Sequence, residues 1–416
     1  MNSCNKIRIG VIADDFTGGS DAASFLAANG LRTILYNGIP ASLPQECEGI
    51  VIALKTRSIN PKEAIQQTME AVEWLKAQGV ETLYFKYCST FDSTAKGNIG
   101  PVLDYLLEET GQSYTVLCPS LPANGRKVKD GILYVNGTPL AESPLKDHPL
   151  NPMWDSRISE LMREQSKYPC LVVRREEMKS RRAVMGRIAE FQLKNPRFYV
   201  VPDYENDLDG EQIAACFGEL HLISGGSGLL KHLSQIYDNT VIEEMENRAE
   251  ARAVILCGSC SAATEAQIQD YRDKGGICYG VDSKKLLDGS LKVADIWRFI
   301  RENSAKKILV YSDAVEKDRS NLVLQDSFHQ ESKLIEETMA ELSRLAEKDG
   351  MDRIVVAGGE TSGAVMLALG YDAYFIGESI AVGVPEMMPV NNRDLTIVLK
   401  SGNFGQVDFF ERAVSR

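Results

Sequence analysis

The feature that most constrains the fold of this chain is a recurrence of short apolar runs, each followed by a polar turn and a segment of helical periodicity. Such runs are typical of strands buried on both faces of a parallel sheet, whose connections are helices. The pattern predicts an α/β fold with mainly parallel sheets flanked by helices. Predicted strands lie at 7–13, 32–36, 49–54, 82–86, 114–118, 170–173, 197–201, 221–224, 251–259, 307–311, 352–356 and 394–399. Predicted helices lie at 20–28, 61–78, 101–109, 262–272 and 332–348.

Two domains are expected, because 416 residues exceed the size of an ordinary single domain. The charged segment "EEMENRAEA", 243–251, is the predicted linker, so the expected domains are 1–245 and 246–416. The segment 124–152 interrupts the α/β alternation. Its sequence "GILYVNGTPLAESP" predicts a β-hairpin insertion in the first domain with Asn136 and Gly137 at the turn, which could serve as an arm, a lid or a dimer contact.

Composition limits the classes of function. The hydrophobic content of 44% and charged content of 25% are those of an ordinary globular protein. A net charge of −12 argues against a nucleic-acid or anionic-membrane partner, although an anionic small substrate remains compatible with a locally basic site. We find no apolar run of about 18 residues and no apolar core of a signal peptide, so we expect no membrane span and a cytoplasmic protein.

The cysteines and histidines give weak signals. Nine cysteines are scattered along the chain, and Cys257 and Cys260 form one C-x-x-C pair that could indicate redox or zinc chemistry. Cys257 continues an apolar run and no second pair accompanies it, so a loop between strand and helix is the better interpretation. His148 lies in a polar segment, but a lone histidine is more often structural, and no Ser-His-Asp order is persuasive.

The first motif is "ADDFTGGSDAA", 13–23, in which Asp14 and Asp15 directly follow the first predicted strand and Thr17 leads into a helix. The carboxyl ends of strands in open α/β sheets are where ligands bind, and a helix N-terminus favours an anion. One of the two aspartates could merely cap the helix. Because capping needs only one carboxylate, we interpret the pair as catalytic.

Two further strand ends carry cations and hydroxyls. In "LKTRS", 54–58, Arg57 could bind a carboxylate in bidentate fashion or be a solvated loop cation. The stretch "FKYCSTFDSTAKGNIGPV", 85–102, combines cations, hydroxyls and a carboxylate, which suits a polyhydroxy acid, although a polar loop of capping residues is the alternative. Its candidate residues are Lys86, Ser89, Thr90, Asp92 and Ser93.

The second half carries three similar loops, each after a predicted strand: "CGSCSAATEAQ", "AGGETSGAV" and "KSGNFG". Neighbouring parallel strands would bring the loops to one sheet edge and form a nucleotide pocket. The candidate residues are Gly258, Ser259, Ser261, Gly358, Gly359, Glu360, Thr361, Ser362, Gly402 and Gly405. Neither GxxxxGK[ST] nor a GxGxxG after the first strand occurs, which argues against a P-loop protein and a dinucleotide-dependent dehydrogenase. The loop "SGGSGLL", 224–230, could be another anion loop or a domain junction.

Taken together, "ADDFTGGSD", "KYCSTFDSTAKGNIGPV", "GSCS", "GGETSG" and "LKSGNFG" resemble the four-carbon acid sugar kinase family, over about 7–410. "HPLNPM" and "LKSGNFGQVDFF" look most like the members that act on 3-oxo-tetronate, whereas those that act on threonate or erythronate are a weaker match. Gly19 and Asp147 differ from the residues expected in close relatives, without affecting the chemistry.

The resemblance implies an N-terminal acid-sugar-binding domain and a C-terminal domain that binds ATP, with transfer of phosphate to the C4 hydroxyl of 3-oxo-tetronate or, alternatively, of D-threonate or D-erythronate. It implies ATP contacts by Ser259, Gly359, Glu360, Thr361, Ser362 and either Gly402 or Gly405. We expect Mg²⁺ to neutralise the triphosphate. Asp14, Asp15 or Asp92 would accept the hydroxyl proton or bind Mg²⁺, Arg57 and Lys86 would bind the carboxylate, and Thr17, Ser89, Thr90 and Ser93 would contact the substrate. A non-catalytic binding protein with the same fold remains the alternative from another class.

Overall fold

The computed structural model describes residues 7–41, 47–147, 151–237, 252–259, 261–303, 307–313, 322–402 and 404–415, with the backbone alone for 322–329. The chain divides into two compact units, Met1–Ile242 and Glu243–Arg416. The predicted linker at 243–251 lies outside the described residues, as do His148 and Cys260.

The first unit contains three sheets. Its strands are β1 (Ile9–Ala13), β2 (Thr33–Asn37), β3 (Gly49–Ala53), β4 (Thr82–Lys86), β5 (Tyr114–Val116), β6 (Arg126–Lys129), β7 (Ile132–Val135), β8 (Thr138–Pro139), β9 (Cys170–Val173), β10 (Phe198–Pro202) and β11 (Leu222–Gly225). Five of them form a parallel sheet in the order β11-β4-β1-β3-β2. A second parallel sheet has the order β5-β10-β9, and β6, β7 and β8 form a small antiparallel sheet.

Helices connect most of these strands. They are α1 (Phe16–Ala28), α2 (Pro61–Ala77), α3 (Ile99–Glu109), α4 (Ile158–Arg163), α5 (Arg175–Met178), α6 (Arg181–Gln192), α7 (Asp207–Phe217) and α8 (Gly228–Ser234). All residues of β1 and β3 are buried, as the continuous apolar runs predict for strands covered on both faces.

The second unit is built on one sheet. Its strands are β12 (Ala253–Cys257), β13 (Ile277–Val281), β14 (Ile308–Ser312), β15 (Arg353–Ala357), β16 (Ala373–Ala381), β17 (Val384–Pro389) and β18 (Thr396–Lys400). Its helices are α9 (Ala262–Asp273), α10 (Ser283–Leu287), α11 (Val293–Glu302), α12 (Leu322–Lys348), α13 (Gly359–Leu369) and α14 (Phe409–Val414). Strands β18, β15, β12, β14 and β13 are parallel in that order, and β16 and β17 add an antiparallel hairpin beside β18.

The predicted α/β class with mainly parallel sheets is confirmed, and the differences concern particular elements. Helix α1 begins at Phe16 rather than at residue 20, and α12 begins ten residues before the predicted start at 332. Strands β13, β16 and β17 were not predicted. Strand β13 and most of β16 are only half-buried and contain glycine, so they lack the continuous apolar run that reveals the other strands.

The hairpin insertion is confirmed and has a third strand. Two tight turns connect β6 to β7 and β7 to β8: Asp130-Gly131 and Asn136-Gly137. All four residues have positive φ angles between 51° and 85°, which is the geometry of the type I′ hairpin turn. Val128 of β6 exchanges two backbone hydrogen bonds with Tyr204, of 3.1 and 2.8 Å, and these attach the insertion to the rest of the first unit.

Among the described residues, no helix combines the length and the apolar character that crossing a membrane requires.

Candidate active site

In the first unit, the predicted charged residues lie at one edge of the five-stranded sheet. Asp14 follows β1, Arg57 follows β3, and Lys86 ends β4; β1 pairs with both β3 and β4. The backbone N–H of Asp14 donates to the carbonyl of Lys86 at 3.1 Å, and the carbonyl of Asp14 accepts from the N–H groups of Thr56 and Arg57 at 3.0 and 3.2 Å. Parallel strands end at the same sheet edge, so three distant sequence segments meet here. We call Asp14, Asp15, Arg57 and Lys86 the charged cluster.

Arg57 is paired with both aspartates. Its Nε donates to Oδ2 of Asp14 at 3.0 Å and its Nη2 to Oδ1 at 2.8 Å, and Nη2 also lies 2.8 Å from Oδ1 of Asp15. Burial acts to lower the pKa of Arg57, but the two carboxylates raise it well above its ordinary value. Burial raises the pKa of Asp14, and the contact with Arg57 opposes that shift. The guanidinium therefore holds the two aspartates in place, and its binding of a substrate carboxylate stays a prediction.

Asp15 is also the N-cap of α1. Its Oδ1 accepts from the backbone N–H of Gly18 at 2.8 Å, so the capping interpretation is right for this residue. Since the same oxygen contacts Arg57, capping does not separate Asp15 from the charged cluster. A Cβ on Gly18 would lie 2.3 Å from Oδ1 of Asp15 and 3.0 Å from Nζ of Lys86, so this position favours glycine. Lys86 is buried, and Nζ donates to the carbonyl of Tyr87 at 3.0 Å.

Two of the candidate residues in the loop after β4 line a cavity beside the charged cluster. Asp92 and Ser93 line a small cavity together with Asp14 and Arg57. The hydroxyl of Ser93 already donates to Oε1 of Gln165 at 2.9 Å.

The other predicted hydroxyls differ in their surroundings. Thr90 is buried, with its hydroxyl 2.9 Å from Sγ of Cys88. Thr17 and Ser89 are half-buried. Thr17 is in the first turn of α1, and Ser89 is beside Gly226, where a glycine Cβ would lie 3.5 Å from its Cβ. Substrate contacts by Thr17, Ser89, Thr90 and Ser93 stay predictions.

Two polar residues of the first unit were missed from the sequence. Asp21 is 6% exposed; Oδ2 accepts from the hydroxyl of Ser227, and Oδ1 is buried and has no hydrogen-bond partner among the described residues. Burial raises the pKa of Asp21 to about 6. The sequence could have indicated Asp21 as a site residue, because it lies four residues after Thr17 and therefore on the same face of α1. Asn98 donates through Nδ2 to the carbonyl of Thr56 at 2.6 Å and so fixes the loop that carries Arg57.

In the second unit, the three glycine and hydroxyl loops meet as the sequence predicts. They follow β12, β15 and β18, which are neighbours in the sheet. The hydroxyls of Ser261 and Thr264 both donate to the carbonyl of Gly402, at 2.7 and 2.8 Å. The N–H of Gly358 donates to the carbonyl of Lys400 at 2.9 Å. We call 258–261, 358–362 and 400–405 the three-loop cradle, of which the structure describes all but residues 260 and 403.

Two glycines of the cradle are required by its geometry. Gly358 has φ 122°, which side-chain-bearing residues rarely adopt, and a Cβ there would lie 3.1 Å from the backbone nitrogen of Ser259. A Cβ on Gly402 would lie 2.7 Å from the hydroxyl oxygen of Ser259. The loops therefore pack so closely that a side chain at Gly358 or Gly402 would press against Ser259.

The loop after β15 exposes its first residues at the N-terminus of α13. Gly359 and Glu360 are exposed, whereas Thr361 and Ser362 are buried. The hydroxyl of Ser362 donates to the carbonyl of Gly358 at 2.7 Å, which tightens the loop. The unpaired N–H groups of a helix N-terminus favour an anion such as phosphate.

Lys400 was missed although its motif was noticed. Its side chain is fully buried, and Nζ donates to the hydroxyl of Thr264 and to the carbonyl of Gly402, both at 3.0 Å. Nζ also lies 5.8 and 5.9 Å from the ring centres of Phe409 and Phe410. Burial lowers the pKa of Lys400 to about 8, and among the described residues no carboxylate forms an ion pair with it.

Comparisons with known proteins match a separate family model to each of the two units. The family model described as a sugar-binding N-terminal domain matches residues 9–233, and the one described as a nucleotide-binding C-terminal domain matches 254–410. The chain is 39% identical over 421 residues to a 3-oxo-tetronate kinase of Brucella melitensis, covering 98% of this chain and 95% of that protein. It is 39% identical over 410 residues to a 3-oxo-tetronate kinase of Haemophilus influenzae, covering 97% and 98%.

A solved structure shares the fold. The crystal structure of a Salmonella typhimurium LT2 protein, described as a tRNA synthase, matches with a TM-score of 0.88 and 37% identity, covering 98% of this chain and 99% of that one. The matches run through both units and include the charged cluster and the three-loop cradle. The chain therefore belongs to the family that joins a sugar-binding N-terminal domain to a nucleotide-binding C-terminal domain, the four-carbon acid sugar kinase family that its motifs resemble.

Proposed function

We propose that this protein is an ATP-dependent kinase that phosphorylates the C4 hydroxyl of a four-carbon acid sugar, 3-oxo-tetronate. The observation that carries the proposal is the presence in one chain of the charged cluster and the three-loop cradle, each within the family match that its chemistry fits. The similarity to 3-oxo-tetronate kinases over nearly the whole chain supports this choice of substrate.

The three-loop cradle supplies the groups that phosphoryl transfer needs around a triphosphate. Transfer depends on positioning and on neutralising charge, with little covalent chemistry by the protein. Ser259, the exposed N-terminus of α13 at Gly359 and Glu360, and Gly402 would hold the nucleotide. Lys400 adds a buried positive charge next to the last loop. Gly258, Ser261, Gly358, Thr361, Ser362 and Gly405 would shape the cradle.

The charged cluster supplies the proton acceptor. Asp14 and Asp15 are held by Arg57, and Asp92 lines the same cavity as Asp14. A positioned carboxylate can take the proton of the C4 hydroxyl as it attacks the γ-phosphate. Mg²⁺ would enter with ATP as part of the substrate, since it is usually bound by phosphates, waters and one or two carboxylates. Among the described residues there is no group of three or more potential metal ligands.

Location and assembly belong to the proposal as well. We place the activity in the cytoplasm, where ATP is available and thiols stay reduced. None of the seven cysteines that the structure describes forms a disulfide, which fits that compartment. A homodimer stays a prediction. We expect a small-molecule acid sugar as the partner, rather than nucleic acid or a membrane.

The test is ADP release with Mg²⁺ and ATP against a panel of four-carbon acids: both enantiomers of 3-oxo-tetronate, threonate and erythronate. Selective turnover of a 3-oxo acid is the expected result. Turnover of threonate or erythronate alone would keep the kinase and replace the substrate. A protein that binds ATP and releases no ADP with any of these acids would contradict the proposal and favour a non-catalytic binding protein.

A further inference from the structure

The antiparallel insertion contains an arginine on which the charge of Asp21 acts, although no carboxylate among the described residues contacts its guanidinium. Arg126 is the first residue of β6 and is half-buried. Its Nη1 donates to the backbone carbonyl of Asn124, and its Nε is buried with no hydrogen-bond partner in the described part of the chain. Asp21 acts on it through its charge, but among the described residues Arg126 forms no ion pair. Arg57 differs, because both Asp14 and Asp15 contact its guanidinium.

Asp21 is the matching acidic group. It is 94% buried, and within the described ranges only one of its oxygens has a hydrogen-bond partner, the hydroxyl of Ser227. The positive charges of Lys86 and Arg126 both act on it, without an ion-pair contact among the described residues. A polar ligand that contacted both Oδ1 of Asp21 and Nε of Arg126 would satisfy these two buried atoms.

Close backbone packing brings the insertion to this place. The residues Gly225, Gly226 and Gly228 lie against the backbone of 118–121, where added Cβ atoms would meet carbonyl oxygens. Gly228 directly follows Ser227, the partner of Asp21. On the other side, Leu121 exchanges backbone hydrogen bonds of 2.9 and 3.1 Å with Arg126. The sequence "SGGSG", which could have been an anion loop or a domain junction, is therefore a packing site that links Asp21 to the insertion.

Two more unpartnered polar atoms belong to the same segment. The hydroxyl of Ser120 and Nδ2 of Asn124 are buried, and the residues that the structure describes offer neither atom a hydrogen-bond partner. Buried polar groups in folded proteins are nearly always paired with protein, water or ligand groups, so four unpaired ones in adjoining segments are candidates for contact with a ligand. Nε of Arg126 and Nδ2 of Asn124 are donors, the Ser120 hydroxyl can donate, and Oδ1 of Asp21 is an acceptor when ionised. This set matches a carboxylate with a hydroxyl on the adjacent carbon.

We propose that Arg126, with Ser120 and Asn124, binds the C1 carboxylate of the acid sugar, and that Asp21 accepts a hydrogen bond from the C2 hydroxyl. This inference rests on the proposed function and makes it more specific. It assigns the carboxylate to the insertion, whereas the sequence favours Arg57 and Lys86. Arg57 is then free to hold Asp14 and Asp15 for the chemistry at C4.

The test compares an acid with its carboxylate-free analogue. Erythrulose has the carbon skeleton and the ketone of 3-oxo-tetronate, with a hydroxymethyl group in place of the carboxylate. Arg126→Met removes the charge and keeps the length of the side chain. We expect the KM for 3-oxo-tetronate to rise by about 10–100-fold, the range of losing a hydrogen bond to a charged group. Inhibition by erythrulose and the KM for ATP should not change.

Two other variants separate binding from folding. Arg126→Lys retains the charge and should recover part of the lost affinity. Arg182→Met is the matched control, because Arg182 is exposed on α6 of the same unit and forms no ion pair among the described residues. Equal weakening of the acid and of erythrulose in Arg126→Met would mean a structural role and overturn the inference. The inference would also be overturned if Arg57→Met no longer distinguished 3-oxo-tetronate from erythrulose while Arg126→Met still did.

Direct binding distinguishes this inference from the proposed function. Calorimetry of the acid without ATP needs no turnover. If wild-type protein binds the acid but releases no ADP, the kinase proposal fails, and the Arg126→Met comparison still tests the carboxylate site. If wild-type protein turns the acid over and Arg126→Met binds it equally well, only this inference fails.

Discussion

Each unit has a cation with little exposure to water next to its candidate site, and the two cations have opposite surroundings. Arg57 in the first unit contacts Asp14 and Asp15, which raise its pKa. Lys400 in the second unit contacts a hydroxyl and a carbonyl, and burial lowers its pKa to about 8. Charges that are removed from water need partners, or they shift towards the neutral form.

This difference between Arg57 and Lys400 fits the two proposed substrates, an acid sugar in the first unit and ATP in the second. The first unit provides its own negative charges, which the proposed transfer of a proton to a carboxylate requires. In the second unit, Lys400 has no acidic partner among the described residues, and a bound triphosphate would supply the missing negative charge. A site for a polyanion gains from an unpaired cation, whereas a site for proton transfer gains from a held carboxylate.

The largest expected effect is a loss of turnover from a change in the charged cluster, without loss of nucleotide binding. Asp15→Asn removes a carboxylate and keeps the helix cap, because asparagine caps helices about as well. We expect kcat to fall by about 10²–10⁴-fold, the range for losing a positioned base. Calorimetry should show unchanged ATP affinity, since the three-loop cradle belongs to the other unit.

A matched control for this variant is Asp282→Asn. Asp282 is also an aspartate N-cap, in front of α10, and accepts from the N–H groups of Lys284 and Lys285. It should leave kcat unchanged. Wild-type turnover by Asp15→Asn would remove Asp15 from the catalytic candidates and leave Asp14 and Asp92.

The next effect concerns the pH dependence of stability. Lys400 has a pKa of about 8 in the folded protein and an ordinary value of 10.5. Between these values the unfolded chain holds a proton that the folded chain lacks, so the free energy of unfolding should rise with pH. Below about pH 8 both states carry the charge, and its burial costs up to about 3 kcal/mol.

Lys400→Met should remove this rise. Chemical unfolding from pH 7 to 10.5 measures the difference between wild type and variant, in which the other titrating groups cancel. We also expect wild-type ATP affinity to fall above about pH 8, and this dependence to be absent in Lys400→Met. Parallel stability curves for the two proteins would contradict the view that Lys400 lacks a counter-ion.

The smallest expected effect is a loss of stability that tests whether the backbone geometry of the three-loop cradle requires glycine. Gly358→Ala introduces a Cβ at φ 122° and 3.1 Å from the nitrogen of Ser259. Thermal unfolding should show a loss of about 1–3 kcal/mol, the usual cost of a strained residue, with weaker ATP binding. Gly363→Ala, in the same helix and with open space around its Cβ, is the control and should be neutral or slightly stabilising. Equal behaviour of the two variants would show that the loop tolerates a side chain.

Much of the fold and part of the site follow from local sequence. The apolar runs place the parallel strands, and the residues just after them mark the sheet edge where Asp14, Arg57 and Lys86 meet. The Asn136-Gly137 turn is confirmed, because this dipeptide adopts the positive φ angles that a tight hairpin requires. The half-buried strands β13 and β16 could not be predicted, since exposure removes the apolar pattern.

The sequence by itself determined which residues stand at strand ends, because strand and helix periodicity are local properties of the chain. The tertiary structure decided which of those residues have partners. Arg57 meets Asp14 across 43 positions of sequence, and Asp21 meets Ser227 across 206. It also decided that Asp21, Arg126 and Lys400 are enclosed without a contacting opposite charge among the described residues. Burial and pairing depend on the order of strands in the sheet and on loop packing, and neither is encoded in the neighbouring residues of any one motif.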